Sequence, residues 1–257
     1  SNLIEWVYVA NEDGTAGPTG EGLIKNQIDF DLLVGSEKVQ KITAFITITD
    51  ELLDDPAQME SQINNKLTAK LLQAVEDQYY KGIGSGIELN GVRTVATAFT
   101  PGSFATGLAN EVENPNIVDV VAVAKAQIGK ANQVMPNAVL MNIEDVTAMK
   151  TLKVTSTDRR YVERVLISGS TLSIDGTPVV VSNAVAVGEY LVGNFGLSTL
   201  YTKQSLTIEV GYNGDNFVKN YKTVRAEWRG AGVVETNDRT AFVKGIIATD
   251  IAAIKKA

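Results

Sequence analysis

Residues 46–82 read ITITDELLDDPAQMESQINNKLTAKLLQAVEDQYYKG, and they decide the fold. An alternating strand pattern gives way, across a short acidic stretch, to one long helical run. Asp55-Pro56-Ala57-Gln58 has the form of a helix start, with Asp at the N-cap, Pro at the first helical position and Gln placed to reach back. Gly82 is the expected stop. The span between is roughly 26 residues, or about 39 Å at 1.5 Å per residue. Met59, Ile63, Leu67, Leu71, Val75 and Tyr79 recur at every fourth position. Each step of four overshoots a 3.6-residue turn by about 40°, so the stripe winds around the axis and meets different partners at its two ends. That suits a helix crossing an elongated domain better than one side of a compact bundle.

Working outward, LIEWVYV (3–9) is rich in aromatic and β-branched residues and reads as a strand, followed by a Gly- and Pro-dense loop at 11–22. The runs 23–34 and 38–48 flank Gly35-Ser36 and read as the two arms of a long hairpin. Ile42, Ala44, Ile46 and Ile48 fall on one face of the second run. A two-stranded ribbon has little core of its own, so this hairpin is expected to project. GIGSGIELNG (82–91) follows a helix rather than a strand and lacks the spacing of a phosphate-binding loop, so it reads as a plain turn.

Residues 92–205 read as an α/β unit. A helix starts at Asn114-Pro115 and buries Ile117, Val120, Val121, Ala124 and Ile128; a short strand follows at 138–141. Asn142 caps a second helix through Leu152, with Asp145 at its third position. Residues 153–170 read as a polar loop, Asp175-Gly176 as a turn, and PVVVS, LVGNFG and LSTLYT as strands of one sheet. The last third returns to strands at 205–210, 216–228 and 240–248, with a turn at Asn213-Gly214.

Composition narrows the chemistry. The 257-residue chain contains neither cysteine nor histidine. Disulfides, thiolate metal sites and every histidine-dependent acid–base scheme are therefore excluded. No cofactor or metal is expected. The net charge of −7 opposes a sequence reader of nucleic acid, which needs cations against phosphates. The best local basic cluster, Lys153, Arg159, Arg160 and Arg164, reads as a solvated loop face. Asp50-Glu51 and Asp54-Asp55 read as acidic residues favoured before a helix start, and Trp6 and Trp228 as packing residues. No apolar run approaches the ~20 residues that span a bilayer, so no membrane partner is expected.

Four stretches carry a resemblance: ITDELLDDPAQMESQINNKL (48–67), YYKGIGSG followed by LNGV (79–92), TLSIDGTPVVVSNAVAVGEYLVGNFG (171–196), and DNFVKNYKTVRAEWRGAGVVETNDRTAFVKG (215–245). None is specific alone; in this order and spacing the chain resembles the tailed-bacteriophage major capsid protein family. The resemblance implies an α+β capsid fold. Residues 1–21 would be the remnant of an N-terminal region, 22–47 a projecting E-loop hairpin, 48–91 with 206–248 a peripheral domain holding a long spine helix, 92–205 an inserted axial domain, and 249–257 a tail. The family's N-terminal arm has no counterpart before the hairpin, so it is expected to have been cleaved, omitted or never present.

The same resemblance implies a structural protein rather than an enzyme. It forms hexamers and pentamers that close into an icosahedral shell around DNA, assembled in the bacterial cytoplasm with scaffold, portal and maturation protease. An encapsulin-like nanocompartment shell is the alternative; a small-molecule α/β enzyme or binding protein is a remote one and needs a deep pocket with converging polar groups. Some family members weld their shells by an isopeptide bond, and the matching positions here are Lys25 in the hairpin, Asn220 in DNFVKN and Glu227 in RAEW. A neutral amine must attack an amide carbon, so a carboxylate has to take the ammonium proton. On a regular strand, Asn220 and Glu227 point to opposite faces, which requires different subunits to supply them. The plain alternatives are a ladder hydrogen bond for Asn220, an arginine partner for Glu227 and a solvated Lys25.

Overall fold

The computed structural model describes residues 2–51, 57–101, 112–151, 165–168 and 171–255. Its strands form three sheets. Strands β1 (Leu3–Asp13) and β2 (Asp29–Lys38) pair as an antiparallel ribbon, while β3 (Gln40–Thr49) joins a different sheet. The expected hairpin between residues 23–34 and 38–48 is therefore corrected: β2 pairs backward with β1, Val7 opposite Val34 and Trp6 opposite Gly35. Gly35 does not turn the chain. A Cβ there would lie 2.6 Å from the Trp6 ring, so the glycine seats an indole across the ribbon.

Helix α1 (Ala57–Lys81) is the expected long helix. Its proposed cap at Asp55-Pro56, with Asp54, lies outside the described residues. Leu67, Leu71 and Val75 are buried, with Ile63 packed beside them, against Ile48, Val224, Ala226 and Trp228. One turn later, Tyr79 of the stripe packs against a separate cluster in which Tyr80 is buried with Val92, Leu191 and Phe242. The stripe thus does change partners along its length, and α1 ties two cores together. The helix ends at Lys81, and Gly82 follows where only a glycine fits: a Cβ would sit 2.3 Å from the Leu89 carbonyl oxygen. Residues 82–91 then form a turn closed by an Ile83–Asn90 bridge, leading to the short helix α2 (Val92–Val95) and strand β4 (Thr97–Ala98).

Helix α3 (Ile117–Asn132) is capped by Asn116, two residues later than Asn114-Pro115. The Asn116 side chain accepts from Val118 N at 2.8 Å, and Asp119 accepts from Asn116 N at 3.0 Å. Its expected apolar set is buried. After β5 (Ala138–Met141), Asn142 caps α4 (Ile143–Lys150) by accepting from Glu144 N, and its amide also donates to the Val185 carbonyl at 2.7 Å. Asp145 instead accepts from Gly188 N at 2.8 Å, so it fastens α4 to a neighbouring loop.

The stretch 153–170 was expected to be loop, yet β6 (Val165–Ser168) is a strand paired with β7 (Thr171–Ile174). Lys153, Arg159, Arg160 and Arg164 lie outside the described residues. Asp175 and Gly176, both at positive φ, make the tight turn into β8 (Thr177–Val181). With β9 (Glu189–Gly193) and β12 (Phe242–Ile246) these strands build a seven-stranded sheet in the order β4-β12-β9-β5-β8-β7-β6.

Two further expectations change. LSTLYT does not extend that sheet: it opens β10 (Ser198–Gly211), which pairs with β11 (Tyr221–Val234) and, through it, β3. Conversely β12, grouped by sequence with the peripheral strands, lies inside the seven-stranded sheet. Residues 214–219 form a 3-10 turn, so the extended run assigned from residue 216 begins only at Tyr221. Asp50 also pairs with Lys222 at 3.1 Å, an ion pair that ties it to β11.

The final helix α5 (Ile247–Ile254) is pinned by a buried carboxylate. Asp250 accepts from the Tyr190 hydroxyl at 2.7 Å and from Ile246 N at 3.0 Å. Burial pushes the Asp250 carboxyl above its usual range, and these two hydrogen bonds offset part of the rise. Between the ordinary carboxylate pKa and the raised folded one, the native state binds more protons than the unfolded chain. Stability contributed by this group therefore falls as pH rises through that window. Asp250→Asn keeps an acceptor for both donors and is expected to melt higher than the native chain above the window, the gap closing as pH falls below about 4. Parallel melting curves across that range would contradict the assignment.

Candidate functional site

Nothing in the described residues forms a catalytic or metal constellation; no group of three or more His, Cys, Asp or Glu suited to a metal occurs among them. What the structure presents instead is apolar surface on projecting elements. In the β1–β2 ribbon, cross-strand pairing places Val7 with Val34 and Val9 with Leu32 on one face. Val7 is 60% exposed, Leu32 59% and Val34 67%. Aliphatic side chains directly opposite one another ordinarily mark a buried face, yet among the described residues no element covers Val7, Leu32 and Val34. Near its base the ribbon is held by Asn90, which donates to Glu37 at 3.1 Å, and by Arg229 and Lys203, which donate to Asn2; midway along, Asn237 donates to the Val9 carbonyl. Phe45 and Ile46 are also exposed, over a cleft of about 570 Å³ between β3 and α1.

The three positions singled out for a crosslink fall as follows. Lys25 is exposed in the loop between β1 and β2, beside exposed Leu23 and Ile24. Asn220 is exposed and left-handed (φ 53°), ending the 3-10 turn before β11. Glu227 is half-buried in β11 and pairs with Lys41 of β3 at 3.7 Å. No hydrogen bond or ion pair among the described residues joins Lys25 to the other two. The expectation that Asn220 and Glu227 must face opposite ways is corrected, because Asn220 precedes the strand and the alternation of β11 does not reach it. Lys41, the partner of Glu227, was not foreseen: sequence spacing names a strand's neighbours along the chain, not across the sheet.

Comparison with known proteins places this architecture. The capsid of a native GTA particle superposes over 95% of this chain and 84% of its own, with a TM-score of 0.68 at 16% identity. A structure from Mycobacterium phage Bobi covers 96% of this chain and 85% of its own, with a TM-score of 0.71 at 12% identity. At such identities the likeness is one of fold, and the fold is that of a phage capsid subunit. The sequence model of the Phage capsid family matches residues 2–245, so the chain belongs to that family. The major capsid protein of Enterobacteria phage HK97 is 28% identical over 251 residues, 97% of this chain; the chain spans 62% of that relative's length.

Proposed function

We propose that the protein is the major capsid protein of a tailed phage or prophage, a structural subunit that associates into hexamers and pentamers and closes an icosahedral shell around DNA. The observation that carries this is the uncovered aliphatic face of the β1–β2 ribbon, present in a chain of this family. Such a ribbon gains stability only by lying on another surface, and neighbouring copies supply one. The net charge of −7 suits a container: it repels packed nucleic acid and limits adhesion to it. Assembly belongs in the bacterial host cytoplasm, with scaffold, portal and maturation protease as partners. Sedimentation of the full-length gene product over a range of concentrations tests this. Large particles in equilibrium with subunits are expected; a single monomer boundary at every concentration would refute it.

Under the same proposal we assign the parts by strand pairing. The E-loop corresponds to the β1–β2 ribbon, residues 3–38, rather than 22–47. The peripheral domain comprises α1 with β3, β10 and β11, and the axial domain comprises the seven-stranded sheet with α3, α4 and α5.

Lys25, Asn220 and Glu227 are proposed to form an isopeptide weld between subunits. The neutral Lys25 amine attacks the Asn220 amide carbon, Glu227 takes a proton from the attacking nitrogen and returns it to the amide nitrogen, and the C–N bond breaks to release ammonia as the new amide forms. The exposed lysine on a loop and the exposed asparagine on a turn are both reachable by a neighbour. Assembled particles are expected to run on a denaturing gel as a ladder of covalent oligomers, reduced to monomer by Lys25→Arg. A native sample running only as monomer would reject the weld and leave the shell proposal standing.

A further inference from the structure

The end of the β10–β11 hairpin carries a second unpartnered surface, separate from the β1–β2 ribbon. Phe217 and Val218 are 71% and 78% exposed on the 3-10 turn between the two strands. The turn is ordered, not loose: Asn216 donates to Thr223 Oγ1 at 2.8 Å, and the Phe217 ring meets Tyr212 edge to face with centroids 5.5 Å apart. Asp215 and Lys219 flank the two apolar residues and pair with each other at 3.6 Å. The result is an apolar knob between one negative and one positive charge.

Next to it lies a hole. A cleft of about 420 Å³ is lined by the aromatic Phe45 and Tyr212 and the polar Asn213 and Thr223, with Glu209 and Arg225 in its wall. Glu209 and Arg225 are direct cross-strand neighbours and form an ion pair. An apolar cavity of ~150 Å³ already holds a benzene ring, so one phenylalanine side chain fits with room to spare. Phe217 is not among the residues that line this cleft; its ring rests on the Tyr212 of its own copy.

Knob and hole match in chemistry. Each sets aromatic surface beside one charge of each sign, and each pair of charges is closed on itself within one chain. Two different patches on one subunit that complement each other make a head-to-tail contact, which closes a ring when its rotation returns to the first copy. We propose that Phe217 of one copy enters the cleft between Phe45 and Tyr212 of the next, with Asp215 meeting Arg225 and Lys219 meeting Glu209 across the junction. This rests on the reading that copies of the chain associate, and it names a junction that the β1–β2 ribbon does not form.

The internal ion pairs permit a test that leaves the fold intact. Glu209→Arg with Arg225→Glu keeps the pair in the cleft but reverses its polarity. Asp215→Lys with Lys219→Asp does the same on the knob. In sedimentation of the full-length product, each double variant is expected to raise the concentration needed for particles at least about tenfold, because like charges then face one another. The quadruple variant restores opposite charges and is expected to return to within about threefold of the native protein, the coupling that defines a direct pair. Phe217→Ser, at an exposed site that folding does not depend on, should also raise it about tenfold. Native particle formation by both double variants, or a quadruple variant no better than the doubles, would overturn the knob-and-hole contact while leaving self-association standing. A native protein that never forms particles would overturn both.

Discussion

Leu71→Ala is expected to lower the unfolding free energy of the subunit by about 2–5 kcal/mol, the range for emptying a buried leucine site. Leu71 is 1% exposed and stands in the middle of α1, facing the β3–β11 sheet. A helix interior cannot shift one side chain inward without dragging its turn, so the cavity collapses only in part. For a chain of this size the loss corresponds to roughly 4–20 °C in melting temperature. Leu72, one position on, is 52% exposed, and Leu72→Ala is expected to stay within about 0.5 kcal/mol. Chemical denaturation of the two variants side by side reads the facing of α1 directly. Equal losses would mean that the winding stripe does not define the buried face.

The second large effect belongs to assembly rather than to the subunit. Leu32→Glu with Val34→Glu places two carboxylates on the bare face of the β1–β2 ribbon. Both native side chains are largely in water in the isolated chain, so the variant is expected to melt within about 0.5 kcal/mol of the native protein. Between copies the same carboxylates would be buried without partners, at a cost of roughly 3–5 kcal/mol per contact. That weakens each contact by about 10²–10⁴-fold, enough to abolish particles at working concentrations. The separation of the two outcomes, normal melting with no assembly, is the signature of a surface kept for a neighbour. A variant that lost stability in proportion would show instead that the ribbon packs on its own subunit.

The sequence made some of these elements plain and hid others for identifiable reasons. Helix α1 was legible because its signal is local: a stripe every fourth residue and a glycine at its end. The capping asparagines Asn116 and Asn142 sit next to the apolar runs they start, although Asn114 offered a competing start for α3. Strand partners were not legible. β1, β2 and β3 all alternate, so periodicity could not say whether β2 pairs backward or forward, and Gly35-Ser36 imitated a turn. The real discontinuity is Val39, the single residue at which the chain leaves one sheet for another.

The crosslink positions show the same limit. Lys25, Asn220 and Glu227 were named by resemblance; the first two are exposed, while Glu227 is half-buried and paired with Lys41. The left-handed Asn220 was hidden because its neighbours, FVKNYKTV, read as one continuous strand. The knob at Phe217 and Val218 lay inside the same run and was taken for strand interior. What exposes it is the 3-10 turn at 214–219, a tertiary feature that no period in the sequence announces.

Electron microscopy of the full-length gene product, purified and concentrated, tests the central claim most directly. Closed hollow shells with a regular lattice of hexamers and pentamers are the predicted image. A field of solitary subunits, unchanged from dilute to concentrated protein, would contradict a fold whose exposed aliphatic ribbon exists to be covered by its neighbours.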